Sequence, residues 1–472
     1  MKKLLILIFI LSSVYANDNN QTNTEDDFDT LFKKTFQKKH KHKKKHKKKH
    51  KHNYTKKYFI STSRNIKLRS YYFFKKTNYQ YRTNEQLYSD FLIEINSKIR
   101  SENYITSLSI FGMLGTDDNT YSYEKIMLNE FRDTDNDIPI LGIKEFYMIK
   151  TNNNHDFIIG KKIFKPGLST IYSPANIYDT VIAPDPLDPY TIGVWLTKFN
   201  YYINNNSSYS IIFMPFISKA KTASVLSRWS GNYYQNNYYD SFDDVNGTVK
   251  EDTNNHIRIA LQYKNSIHNV DTSFIVGYGP SLYKILEYTA TKDTYLLTSP
   301  SVVYISTGFS TTYNQFEFHG EAYYQNTLNG EDDNFISSVI GTTYTLDKWI
   351  DNININKIIT TIEFTKIFVT KKYNSDKTYK SSEEIREPKK DILVKINAQI
   401  NYKLAIKYLA DFRLSIGNNK DGGYYQKIGT SYMFKDNLKG DVYLEFFNGE
   451  ENSFYKKWSD NNRIIFQLEY SF

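Results

Sequence analysis

The last nine residues of the chain, Ile464 to Phe472, put Ile464, Phe466, Leu468, Tyr470 and Phe472 on one side of an extended segment, with Gln467, Glu469 and Ser471 on the other. Side chains of a strand alternate between its two faces, so this segment has one apolar face and one largely wet face, and it stops on an aromatic. The same two-faced pattern recurs upstream. Val394, Ile396, Ala398 and Ile400 alternate with Lys395, Asn397, Gln399 and Asn401. Ala410, Phe412 and Leu414 alternate with Asp411, Arg413 and Ser415, and Ile257, Ile259, Leu261 and Tyr263 with His256, Arg258, Gln262 and Lys264. Polar, Asn/Asp-rich breaks separate these segments from about residue 62 onward, which predicts an all-β chain.

Alternation alone fits a soluble sandwich as well as a membrane barrel. Two end features favour the barrel. Phe466, Leu468, Tyr470 and Phe472 resemble the C-terminal assembly signal of bacterial outer-membrane β-barrels, which implies a barrel-assembly machinery and outer-membrane lipid as partners. At the other end, Lys2 and Lys3 precede an apolar run from Leu4 to Leu11 and the small-residue step Val14-Tyr15-Ala16, so residues 1–16 read as a cleaved signal peptide. No later apolar run is long enough for a spanning helix, and the longest, Ile211 to Ile217, is interrupted by Pro215.

Composition agrees. The 42 Tyr and 31 Phe suit the aromatic girdles of a barrel, and the absence of Cys excludes disulfides and thiolate chemistry. Of 61 basic and 51 acidic residues, 16 and 5 respectively precede residue 58, so the body is near neutral and the net charge of +10 sits in one tract. That location removes the case for a nucleic-acid partner. Between Lys38 and His52 the tract holds only Lys and His, with His40, His42, His46, His50 and His52 among ten lysines. Residues 17–57 are expected to form a disordered periplasmic tail. The tail suits anionic cell-wall polymer or lipid headgroups, and its imidazoles offer weak divalent-metal binding that the lysines oppose. No other cofactor is expected.

Residues 58–472 are therefore expected to form a transmembrane antiparallel β-barrel of about 16 to 18 strands, given strands of about 9 to 11 residues and the even numbers such barrels use. Five of the ten prolines fall between Pro166 and Pro189, and proline cannot sit in a central strand. Residues 163–190 therefore read as a stiff ordered loop, with Pro166, Pro174, Asn176, Asp179, Asp185 and Asp188 as its candidate residues, folded inward to narrow the lumen or capping it from outside. Around it, Phe157-Ile158-Ile159-Gly160-Lys161-Lys162-Ile163, Ser173-Pro174-Ala175-Asn176 and Asp185-Pro186-Leu187-Asp188-Pro189 resemble a family of largely uncharacterised proteobacterial outer-membrane barrels, loosely grouped with porins and exopolysaccharide-export barrels. Gly422-Gly423, Ile428-Gly429, Val442 to Phe447 and Asn462 to Phe472 extend the likeness. The family implies a barrel with transport; where it often has Trp-Gly this chain has Lys165-Pro166-Gly167, so no ligand is carried over.

Glu317, His319 and Glu321 share the polar face of one strand, as a lumen patch or a cation site, and Arg258, Lys395 and Arg413 are expected in the lumen with them. Asp133 to Asp137 begins like an EF-hand loop but has Ile138 where glycine is required and Lys144 at the last ligand place. No hydrolase elbow, phosphate loop or zincin motif is present, and no enzymatic activity is expected. Three functions remain open: a channel for small solutes, a tethering protein whose tail grips the cell wall while the loop around Trp229 to Phe242 faces outward, and a polymer-export barrel.

Overall fold

The computed structural model describes residues 58–76, 85–117, 121–122, 138–216, 220–223, 227–230, 250–251, 257–281, 285–289, 294–328, 330–347, 355–373, 388–415, 421–451 and 453–472. The signal segment, the Lys/His tract with His40, His42, His46, His50 and His52, and the Asp133 to Asp137 run lie outside the described residues.

The alternating segments become strands β1 (Phe59–Phe73), β2 (Leu87–Arg100), β3 (Tyr104–Gly115), β4 (Leu141–Thr151), β5 (His155–Lys162) and β6 (Val194–Tyr202). They continue as β7 (Ser207–Met214), β8 (Arg258–Ile267), β9 (Val270–Pro280), β10 (Ser301–Tyr313), β11 (Phe316–Thr327) and β12 (Asn334–Leu346). The last six are β13 (Lys357–Lys371), β14 (Lys390–Gln399), β15 (Leu404–Arg413), β16 (Gly423–Lys435), β17 (Leu438–Gly449) and β18 (Arg463–Ser471). Each pairs antiparallel with its sequence neighbours in one 18-stranded sheet. β1 pairs with both β2 and β18, Leu68 standing opposite Leu468, so the sheet closes and leaves no edge. Eighteen strands is the upper end of the sequence estimate. Among the described residues the only α-helix is Phe454–Lys457, and no helix is long and apolar enough to cross a membrane.

The two rims differ. At the rim holding Phe472, strands are joined by short links such as 101–103, 152–154, 268–269, 314–315 and 436–437. The other rim carries the long connections 116–140, 163–193, 215–257 and 281–300. Because side chains alternate, register fixes both faces. Ile211, Leu261, Ile340, Phe466 and Leu468 stand on the outside at 44–61% exposure, a continuous apolar surface that water would not tolerate at this extent. The polar alternates point inward, as with Glu321, Glu363, Asp391, Glu445 and Arg463, all 5% exposed or less.

A barrel of this size is too wide for wall side chains to fill, so its buried core must come from elsewhere. The chain itself provides it. Phe164, Ile177 and Tyr178 of the 163–193 connection pack with the inward residues Ile158, Val194, Leu196, Ile212, Tyr304 and Tyr323. Ile182 and Ile192 pack on Phe111, Met113 and Ile138. Within the connection, Thr180–Ala183 pairs antiparallel with Tyr190–Ile192 and parallel with Lys221–Thr222 of the next long connection.

Candidate functional site

The Pro-rich connection lies inside the barrel, held at two places far apart in sequence and on the wall. Its first hold is a pair of carboxylates. Glu363 on β13 accepts the backbone N–H groups of Thr170 (2.9 Å) and Ile171 (2.8 Å) on Oε1 and of Tyr172 (2.8 Å) on Oε2. Glu321 on β11 accepts N–H from Leu168 and Ser169 on Oε1, while Oε2 takes the Ser173 hydroxyl at 2.6 Å. A segment without sheet partners must find acceptors for these donors, and buried carboxylates serve several at once with charge-assisted bonds.

The wall is shaped for this hold. His319 Nε2 stands 3.0 Å from Glu363 Oε1, both side chains fully buried, and Gly341 lies between them in the ladder. A Cβ at Gly341 would come within 2.6 Å of both Glu363 Cγ and His319 Nε2, so only glycine lets the pair meet across β12.

The second hold is on β18 and β1. Asp185 Oδ2 lies 2.7 Å from an Arg463 amine, whose guanidinium also meets Glu445 at 2.6 Å. Asp188 pairs with Lys67 at 3.4 Å and with Arg69, and Arg69 in turn donates to Asp90 at 2.8 Å. A buried guanidinium needs carboxylate partners to offset lost hydration, and here one of them comes from the connection. Between the holds, Arg258 donates to the carbonyl of Ile177 at 2.9 Å and to that of Pro280 at 2.7 Å.

The remaining loop candidates have internal roles. Asn176 Oδ1 accepts the Gly167 N–H at 2.8 Å, and Pro166 and Pro174 are buried. Asp179 accepts the Phe164 N–H at 2.6 Å while its other oxygen is buried with no hydrogen-bond partner. Burial pushes the Asp179 carboxyl up to about 6, against the Phe164 N–H and the charges of Lys165 and Lys162, which hold it down.

By register Glu317, His319, Glu321, Arg258, Lys395 and Arg413 all point inward. As a set they do not form the lumen charge expected of them. Glu321 and Arg258 are covered by the connection, and Arg413 is bound by Asp391 at 2.9 Å. Glu317 accepts the Ser310 hydroxyl at 3.1 Å and His319 turns to Glu363, so the three do not converge on one point, and no metal-holding group of three occurs among the described residues. Lys395 alone of the six is exposed. For Glu363, Glu445 and Arg463 the sequence offers no signal beyond a charge on the polar side of an alternating strand.

Beyond the connection, the inner wall from β15 to β17 carries Lys407, Lys427 and Lys439 with side chains 22–34% exposed. Their partners Asp441 and Glu445 are fully buried beneath them. These lysine side chains are therefore more open to the lumen than the Asp441 and Glu445 carboxylates that balance them.

The 215–257 connection is also partly anchored. Arg228 donates to Asn461 Oδ1 at 2.9 Å and sits 3.5 Å over the Phe73 ring, and Trp229 packs against Phe73, Phe447 and Trp458. Trp229 is thus buried at the rim; residues 231–242, the rest of the loop that the tether reading turns outward, lie outside the described residues.

No family model and no curated protein matches the chain, so no such match connects it to the proteobacterial family whose motifs it resembles. Among solved structures, a BenF-like porin from Pseudomonas fluorescens Pf-5 overlaps with a TM-score of 0.46 at 6% identity, over 88% of this chain and 98% of that one. Pseudomonas aeruginosa OpdQ overlaps at 0.44 with 9% identity (87% and 97% covered), and Salmonella typhi OmpF in complex with daunomycin at 0.40 with 9% identity (88% and 98%). These overlaps concern barrel against barrel; the roles below rest on this chain's own geometry.

Proposed function

We propose that the protein is a porin-like channel of the bacterial outer membrane that passes small hydrophilic solutes through a lumen narrowed by residues 163–193. The observation that carries this reading is the connection held from Glu321 and Glu363 on one wall to Arg463 and Arg69 on another. It fills part of the lumen, Leu187 joining the apolar cluster that includes Leu409, Tyr425 and Phe447 of β15–β17, and leaves the lysine-bearing part of the β14–β17 wall facing the interior. A structural stopper would be expected to extend those apolar contacts over the whole wall; the exposed Lys395 and the partly exposed Lys407, Lys427 and Lys439 call for water there instead.

The outward apolar face with a terminal aromatic strand supports the membrane address, and long connections on the rim away from the C-terminus fit extracellular loops over periplasmic turns. That orientation would put the N-terminal tail in the periplasm. Nothing in the fold calls for enzymatic chemistry. The tether and polymer-export readings rest on no observation among the described residues.

Swelling of liposomes holding the refolded protein, in iso-osmotic solutions of uncharged solutes of graded size, tests the reading. Entry of the smallest solutes with a sharp size cut-off is expected. Liposomes that swell no faster than protein-free ones in every solute would remove it.

A further inference from the structure

The outward faces of β13 and β14 carry a pairing that the barrel does not explain. Lys366 stands directly opposite Lys390 in the ladder. Both share the outward parity of Ile362, Phe364, Phe368 and Ile392, since the alternates Glu363, Thr365 and Asp391 are fully buried inside. Residues directly opposite on one face have Cβ atoms about 4.5–5.5 Å apart, and like charges there are destabilising. Neither lysine has an acidic partner among the described residues. Lys366 lies over the Phe368 ring at 4.2 Å, and its other cross-strand neighbour is the small Ser338.

The position of the pair selects its ligand. Phe364 and Phe368, 36% and 44% exposed, flank Lys366 along the strand, and β13 runs from the short-turn rim at Lys357 to the long-loop rim at Lys371. The ammonium groups therefore sit in the upper part of the apolar surface, where a lysine stem lies along hydrocarbon and its head reaches the polar boundary. An anion there must come with the lipid, because soluble anions do not enter an acyl layer.

We propose that Lys366 and Lys390 together bind a phosphate group of an outer-leaflet lipid, the headgroup between the two ammonium ions and its acyl chains along Phe364 and Ile392. A phosphate changes the pair from mutual repulsion into two charge-assisted contacts, and Ser338 leaves room for it. The proposal rests on the membrane reading above but not on conduction.

The test is native mass spectrometry of the folded full chain in a zwitterionic detergent, with bisphosphoryl lipid A and with the same lipid stripped of phosphate. Retention of the phosphorylated form is expected to exceed that of the stripped form by about tenfold, to fall to the stripped level in K366Q/K390Q, and to persist in K366R/K390R. Equal retention of the two lipids, or equal retention by wild type and K366Q/K390Q, would overturn it. Should the double variant not fold, K366Q alone is expected to lose at least half of the preference, and unchanged preference there overturns the proposal equally. A conducting barrel without lipid preference would sink this site alone; failure to conduct with the preference intact would sink only the channel.

Discussion

Replacing Glu363 by Gln probes the first hold with almost no change of shape. The carboxylate accepts three backbone N–H groups from residues 170–172 and faces His319. The amide keeps one oxygen, and its NH2 group would point at donors. Losing charge assistance from each of three bonds costs about 1 kcal/mol apiece, about 3 kcal/mol in all, before any repulsion is counted. That lowers the ratio of docked to undocked segment by about 100-fold. The Glu321 contacts to Leu168, Ser169 and Ser173 remain, so E363Q should loosen residues 170–172 without releasing the whole connection. In single-channel recordings, wild type is expected to hold one steady level and E363Q to show repeated excursions to a larger one, with E321Q/E363Q spending most of its time there. If both variants record the same level and the same noise as wild type, the carboxylates do not hold the constriction and the reasoning fails.

Other expectations follow from the same geometry. Asp179 has its carboxyl raised by burial, so its ionised form opposes docking. The docked state carries no such cost below about pH 4, where an undocked carboxyl is also protonated, and it weakens by about 1.4 kcal/mol for each pH step of one from there up to about 6. Current noise should therefore be lower at pH 5 than at pH 7.5, and D179N should abolish the difference; pH-independent noise in wild type would count against it. Arg463→Met leaves Glu445 and Asp185 without their shared cation, which should cost about 3 to 5 kcal/mol and lower the temperature at which the folded band disappears in semi-native gels. Gly341→Ala should push His319 from Glu363 and give the E363Q noise without removing any charge, a result that separates position from electrostatics. Phe466→Ser with deletion of Phe472 should lower the amount of folded protein in the outer membrane while leaving the conductance of refolded material unchanged, measured by heat-modifiability and bilayer recording.

Strand faces were legible because a period of two needs no long-range information: Val394 to Ile400, Ala410 to Leu414 and Ile464 to Phe472 could be split into outer and inner rows from sequence alone. The strand number was bounded by chain length over strand length, and closure of β1 on β18 settled it at eighteen. The partners of the inward charges were not legible. Glu363 lies some 190 residues from the N–H groups it accepts, and nothing in Thr361 to Thr365 marks it apart from Glu317, which meets only the neighbouring Ser310. Inward orientation of Glu321, Arg258 and Arg413 was readable, but their covering by the connection or by Asp391 depends on a tertiary path that alternation does not encode. The same limit applies to Trp229: nothing in its Asn- and Tyr-rich surroundings points to Phe73, Phe447 and Trp458, which enclose it at the rim.

The central claim is that residues 163–193 narrow an open lumen. Single-channel conductance of the refolded protein in a planar bilayer, beside a variant in which residues 167–190 are replaced by a short Gly-Ser turn, tests it most directly. A stable conductance in wild type and a several-fold larger one in the variant is the predicted result. No conductance in either protein, or the same conductance in both, would contradict the account.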